Sequence, residues 1–453
     1  LTAKPRRPAR AAAKSAKPGL AARQAAARLL ATVIETRSSL DGLLDTEHGN
    51  PHFLALSEPD RLLVRAILLA ALRHLPIIDA FIDRLTDKPL PAGARPLRHL
   101  LAVAAAQILY LDVPDHAVVD LAVTQANEDP RNRRFASLVN AVLRRMIRER
   151  AAVLPELAAT VEPFPAWFAG RLRDIHGAER ASAIMAALAN PAPLDLTVKS
   201  DPEGWAERLG GIVLPTRTVR LAGNTGPVTT LPGFAEGEWW VQDAAAAIPA
   251  RLFGPLDGKR VADLCAAPGG KTAQLVLAGG AVTAFDQSAS RLKRLEANLA
   301  RLGLSAETRL ARAEEVTDTG GFDAVLLDAP CSSTGTVRRH PDIVYTKSRE
   351  DVAKLARVQR RLLDAAAKLL RPGGTLVFSN CSADPEEGEE LVRAFLDETP
   401  GFRLVPVQPQ DWPGLEAAVT PSGELRTDAA MLAHANPQLS GLDGFYAAVL
   451  VRD

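Results

Sequence analysis

The residues able to do chemistry in this chain are few and unusually placed. It has three cysteines, Cys265, Cys331 and Cys381, in 453 residues. Cys331 stands in AVLLDAPCSSTG, just after Asp328, where an apolar run that reads as a buried strand ends in an acid. Cys381 stands in VFSNCSADPEE, again just past an apolar run. A free buried cysteine is ordinarily an inert small hydrophobe. Strand exits differ, because in a parallel sheet they are where side chains meet ligands, and adjacent exits would bring both thiols to one cleft. A thiolate can add to a ring carbon and later leave, provided a cation or a helix N-terminus helps ionise a thiol whose pKa is ordinarily about 8.5. Lys271 is the candidate cation.

A second constellation precedes the thiols. In DLCAAPGGKT, Cys265, Ala266, Ala267, Pro268, Gly269, Gly270 and Lys271 form a turn between a strand and a helix. The glycines admit a close approach of ligand to backbone, and the helix N-terminus offers unpaired N–H groups. GKT suggests a Walker A phosphate loop, but that motif needs glycine where Cys265 stands. Asp286 ends the next strand, TAFDQ, at the spacing where an acid accepts hydrogen bonds from ribose hydroxyls. A simple cap of the following helix is the alternative. Turn and acid together fit a dinucleotide or S-adenosylmethionine, and the lack of G-x-G-x-x-G disfavours the dinucleotide. A methyl donor, two thiols and Asp328 point to methylation of carbon 5 of cytosine, a poor nucleophile until something adds to carbon 6. Asp328 would then supply a hydrogen bond or proton at N3 of the ring.

The elements that must hold these residues describe a multidomain chain. Residues 1–19 carry Lys4, Arg6, Arg7, Arg10, Lys14 and Lys17 with no acid, and read as a basic disordered tail, with a transit peptide as the rival reading. Residues 20–150 have helical apolar spacing and form an all-α bundle. Ser57 is a candidate N-cap with Pro59 in the first turn, and residues 97–111 are apolar nearly all round. The last helix puts Phe135, Leu138, Val142 and Met146 on one stripe, leaving Arg144, Arg145 and Arg148 to point elsewhere. Residues 151–240, with LDLTVK and GIVLP, read as a small α+β connecting subdomain. Residues 241–453 alternate strands and helices, which implies a Rossmann-like α/β domain with a mostly parallel sheet covered on both faces.

Composition excludes several classes. With 47% hydrophobic and 24% charged residues the chain reads as globular, and no apolar run reaches the roughly 18 residues of a membrane span. An odd number of cysteines cannot make a disulfide framework, and their spacing matches no zinc pattern, so no metal is expected and a reducing, cytoplasmic compartment is. Residues 1–150 hold 23 Lys and Arg against 15 Asp and Glu, the remainder 31 against 38. A basic front is a footprint for phosphate backbones, although a solvated basic face would have the same composition.

DLCAAPGGKT, LLDAPCSSTG, RRHPDI and NCSADPEE, in that order and spacing, resemble the RNA (cytosine-5) methyltransferases. The helical front, including FASLVNAVLRR, resembles the NusB-like RNA-binding domain of the RsmB/Sun branch, which modifies small-subunit ribosomal RNA. The resemblance covers residues 20–453. It implies an S-adenosyl-L-methionine-dependent enzyme, a cytoplasmic monomer, that methylates carbon 5 of a cytosine in 16S ribosomal RNA through a covalent cysteine adduct. A transfer RNA substrate is one alternative. A retired methyltransferase that only binds RNA or a ribosome factor is another, disfavoured because Cys331, Cys381, Asp328 and Lys271 are intact. Carried over by residue, Cys381 attacks carbon 6, and Cys331 helps remove the carbon 5 proton and release the product. Residues 265–271, Asp286 and Asp328 line the cofactor site, with Arg312 near the adenine. Three positions depart from the family pattern: Asn380 stands for Thr before the nucleophile, Gly388 for Asn after PEE, and Ala311-Arg312 for Gly-Asp.

Overall fold

The computed structural model describes residues 17–91, 93–223 and 226–453, so the tail expected over residues 1–19 falls almost wholly outside the described residues. The chain divides into two compact units, Leu1–Pro163 and Phe164–Asp453.

The first unit is helical: α1 (Leu20–Thr36), α2 (Leu40–Leu43), α3 (Pro51–Leu54), α4 (Glu58–Arg73), α5 (Leu75–Leu85), α6 (Arg95–Tyr110), α7 (Asp115–Glu128) and α8 (Ala136–Thr160). α4 begins where its sequence signals a start, with the Ser57 side chain accepting the Asp60 N–H and Pro59 in the first turn. α6 is the central helix, buried at every position from Leu100 to Ile108. Its one polar core side chain, Gln107, donates to the Val103 carbonyl, which lowers the cost of its burial. α8 corrects two expectations. It runs unbroken through residue 150 to Thr160, beyond the helix read from the sequence, and the first compact unit ends at Pro163. Its buried stripe is Val139, Val142, Leu143 and Met146, with Phe135 and Leu138 only half-buried. Phe135 belongs to a preceding 3₁₀ turn, so the helical register starts one residue later. Arg133, Arg134, Arg144 and Arg148 are exposed. No helix among the described residues is long and apolar enough to cross a membrane.

The second unit opens with α9 (Ala166–Leu188) and an antiparallel sheet made of β1 (Leu194–Val198), β2 (Ile212–Val213), β3 (Val219–Leu221) and β4 (Trp239–Val241), with α10 (Pro202–Leu209) beside it. After α11 (Ile248–Arg251) come β5 (Arg260–Leu264), α12 (Gly270–Leu277), β6 (Ala281–Asp286), α13 (Ala289–Arg301), β7 (Glu307–Leu310) and β8 (Phe322–Asp328). They are followed by α14 (Ile343–Thr346), α15 (Arg349–Leu369), β9 (Leu370–Asn380), α16 (Glu389–Glu398), β10 (Phe402–Leu404), β11 (Leu425–Thr427) and β12 (Phe445–Arg452). The main sheet has the order β10-β12-β9-β8-β5-β6-β7, with β11 also on β12. β5 to β9 pair in parallel, and β12 runs antiparallel to β9. From β5 the chain first builds outward through β6 and β7, then crosses to β8 and β9 on the other side. The strand order therefore reverses between β5 and β8, which opens a crevice at their carboxyl ends.

Buried charge joins the small sheet to the main one. Asp195 on β1 and Arg220 on β3 are fully buried and share two hydrogen bonds of 2.7 Å, while Arg220 also donates to the Gly441 carbonyl. Arg339, from RRHPDI, bridges Asp243 at 2.6 Å and Asp443 at 2.8 Å, and Arg338 also reaches Asp443. Such groups tolerate burial only because each is paired and hydrogen-bonded. This motif is scaffolding that sets where the segment after β4 lies.

Candidate active site

The turn after β5 borders a cavity of about 360 Å³ at the crevice. One wall is Asp263, residues 265–271 and Asp328; the other is Trp240, Val241, Gln242 and Asp243, from β4 and just beyond. Gly269 has φ +99°, and a Cβ there would meet Leu295 Cγ at 2.9 Å, so only glycine permits both the turn and its packing on α13. Cys265 adopts φ +60° without being glycine, a strained backbone of the kind held at ligand sites. α12 then starts with no side chain capping its first N–H groups.

Three acids surround this turn in different states. Asp263 is fully buried; Thr272 donates to Oδ2 at 2.6 Å, and Oδ1 has no partner among the described residues. Burial raises its carboxyl to about 7. Asp286 is 2% exposed and accepts from the Ala267 N–H at 3.3 Å and the Ser288 N–H at 2.9 Å, so it braces the turn from beneath and is not among the residues lining the cavity. The cap of α13 is Ser288. Asp328 takes Lys271 Nζ at 2.8 Å on one oxygen and Ser379 Oγ at 2.9 Å on the other. Lys271 is thus bound to the acid rather than to a sulfur. Arg312 also lies off the cavity, with 58% of its side chain exposed, near Glu314 and Glu315.

The parallel register pairs Asp328 with Ser379, so the loops leaving β8 and β9 start side by side. They bring Cys331 Sγ to 3.4 Å from Cys381 Sγ, and Ser333 Oγ lies 3.5 Å from Cys381 Sγ. The pair is electrically unequal. A hydrogen bond from Cys331, and after it one from Ser333 and the charge of Lys271, lowers the Cys381 thiol against burial and Asp328. The bond to Cys381, burial, the Cys381 charge and then the Glu387 charge hold the Cys331 thiol well above its ordinary value. Of the pair, Cys381 is the thiol that ionises more readily, with Cys331 placed to donate to it. Cys265 is different again: burial, then Asp328, Asp286 and Asp263, raise it to about 12, which leaves it an inert thiol.

The family description "16S rRNA methyltransferase RsmB/F" matches residues 250–451, and "NusB family" matches residues 20–148. A ribosomal RNA small subunit methyltransferase B from Vibrio vulnificus is 36% identical over 95% of this chain and 99% of its own length. One from Xylella fastidiosa is 38% identical over 96% and 99%. The chain belongs to the ribosomal RNA small subunit methyltransferase B family. Among solved structures, PH0851 superposes with a TM-score of 0.70 at 23% identity, covering 96% of this chain and 98% of that one. A methyltransferase homologue from Pyrococcus horikoshii superposes at 0.51 with 27% identity over 63% and 94%. The protein is an RNA methyltransferase, and S-adenosylmethionine is its cofactor.

Within this family the three departures now have physical accounts. Asn380 is buried and does more than a threonine could: its amide donates to Gln359 Oε1 and the Glu387 carbonyl, and its oxygen accepts the Ser382 N–H. Gly388 stands in a crowded place: a Cβ there would lie 2.3 Å from an Arg426 nitrogen and 3.0 Å from the Tyr446 ring, so a larger residue needs both to move. Ala311 packs on the core, and its neighbour Arg312 points to glutamates instead of the cavity. Sequence reasoning missed Asp263, Trp240, Gln242 and Glu387. Asp263 alone carried a signal, an acid inside the apolar strand RVADL.

Proposed function

We propose that this enzyme methylates carbon 5 of a cytosine in small-subunit ribosomal RNA through a covalent adduct at Cys381. The observation that carries the reading is the unequal thiol pair, 3.4 Å apart on the loops that leave β8 and β9 just past Asp328 and Ser379. The names of the relatives from Vibrio vulnificus and Xylella fastidiosa favour ribosomal over transfer RNA. The exposed arginines of the helical unit would grip the RNA backbone. The chain would act as a cytoplasmic monomer.

The residues present suit the cofactor. Asp263 Oδ1 lacks a partner among the described residues and suits an ammonium donor, and the N–H groups opening α12 suit a carboxylate; Asp286, which braces the turn from the end of β6, would have to turn an oxygen to the ribose hydroxyls. When bound there, S-adenosylmethionine supplies an electrophilic methyl group. The protein must first expose the base, at a cost of a few kcal/mol. The Cys381 thiolate then adds to carbon 6, and the ring electrons move toward carbon 5 and N3, where Asp328 would meet the developing charge as a donor, holding a proton drawn from Lys271. Once carbon 5 holds the methyl group, Cys381 is a neutral thioether. The bond and charge of Cys381 that helped hold Cys331 protonated are gone, so Cys331 can release its proton to solvent and, as thiolate, take the carbon 5 proton. The electron pair left behind forms the carbon 5–carbon 6 double bond as the carbon 6–sulfur bond breaks and Cys381 leaves as thiolate. In a denaturing gel with substrate RNA and cofactor, Cys331→Ala should accumulate a slow covalent band and Cys381→Ala should form none. The reverse pattern would exchange the roles, and full turnover by both would sink the covalent route.

A further inference from the structure

Behind the thiols lies a closed polar network that the reaction itself does not touch. Its centre is Glu387, in the loop between β9 and α16, fully buried together with Ser332, Gln359, Asn380 and Ser382. Glu387 Oε1 accepts the Ser332 N–H at 2.9 Å and the Gln359 amide at 2.6 Å, and its other oxygen accepts the Ser332 hydroxyl. Gln359, on α15, accepts in turn from Asn380 at 3.1 Å, and Asn380 donates to the Glu387 carbonyl at 2.6 Å. Ser332 adjoins Cys331 and Asn380 adjoins Cys381. One carboxylate therefore ties together the two backbone segments that carry the sulfurs, and the Gln359 amide closes the ring.

Burying a carboxylate costs several kcal/mol unless donors surround it. A neutral side chain could fill this space, so the acid needs a reason. We infer that Glu387 is a positioning residue that, through Ser332, Gln359 and Asn380, holds the Cys331 and Cys381 sulfurs at bonding distance. The consequence for catalysis rests on the covalent reading above; the consequence for sulfur spacing does not. A loosened pair would lose the hydrogen bond that makes Cys381 the thiolate, and the base would no longer face the carbon 5 proton. Misplacement by about 1 Å can cost on the order of 100-fold in rate.

The test has two readouts. The first is the rate at which diamide converts the two thiols of the full-length enzyme into a disulfide, its N=N bond taking up the two hydrogens as S–S forms. The second is turnover on small-subunit RNA, resolved into kcat and the KM for S-adenosylmethionine. Glu387→Ala should slow the disulfide at least tenfold and lower kcat on the order of 100-fold with the cofactor KM nearly unchanged. Glu387→Gln should recover most of both, because its carboxamide can still accept from Ser332 and Gln359. If Glu387→Ala does not fold, Gln359→Met, which keeps volume but removes both bonds of that amide, should show the same two losses at smaller size. A folded Glu387→Ala or Gln359→Met with unchanged disulfide rate and kcat overturns the inference, as does failure of Glu387→Gln to restore either readout. An unaltered enzyme that forms no RNA adduct would sink the covalent reading alone, leaving the disulfide comparison to decide the role of Glu387.

Discussion

Replacing Cys331 with alanine should do more than trap an adduct, because it should also make the adduct slower to form. In the resting enzyme the Cys331 S–H faces the Cys381 sulfur at 3.4 Å and is the largest influence lowering that thiol. A hydrogen bond to a charged acceptor is worth about 1.5–3 kcal/mol, and a thiol is a weak donor, so the low end applies. About 1.5 kcal/mol is roughly one pKa unit. At a pH below the Cys381 midpoint, Cys331→Ala should therefore hold about tenfold less thiolate. The variant should form adduct about tenfold more slowly and then fail to release it. Iodoacetamide alkylation of the enzyme without RNA, followed from pH 5 to 10, isolates the first effect, since Cys265, at about 12, stays silent. The midpoint for Cys381 should rise in Cys331→Ala and return most of the way in Cys331→Ser, whose hydroxyl can still donate. An unchanged or lower midpoint in Cys331→Ala would refute the assignment of Cys331 as donor.

Four further outcomes can be measured. Asp263 is raised to about 7 and must ionise to receive a cationic group, so cofactor affinity should climb as pH rises from 5 toward 7, with proton release on binding; calorimetry in buffers of different ionisation enthalpy measures this, and Asp263→Asn should flatten it. Without ligand the sign for stability is opposite: the unfolded carboxyl ionises near 4 and the folded one near 7, so stability attributable to this group should fall across that window, as urea titrations of wild type and Asp263→Asn can show. Asp286→Ala should weaken S-adenosylmethionine binding at least tenfold by loosening the Ala267 turn and removing the ribose acceptor; calorimetric affinity within twofold of wild type would leave it only a brace. RNA affinity should drop steeply with salt, and Arg144→Gln with Arg148→Gln should reduce the slope of log K against log salt by about two.

Much of this enzyme is legible along the chain because the signals are local. The Ser57 cap, the glycines of the turn after β5 and the alternation of strands and helices reflect backbone geometry and short-range burial, which neighbouring residues determine. Cys331 and Cys381 could be placed at strand exits for the same reason. Their separation could not, because it depends on the register of β8 against β9 and on an order in which β5 lies between β6 and β8. The end of α8 was missed because composition changes before the helix does. Trp240 and Gln242 join the cavity wall only because buried arginine–aspartate pairs set the small sheet against the main one. Glu387 reads as one acid in PEEGEE until the fold buries it between two loops. Which thiol ionises more readily is likewise a tertiary property: the two cysteines are chemically identical in sequence, and only the positions of Ser333, Lys271, Asp328 and Glu387 around them lower one and raise the other.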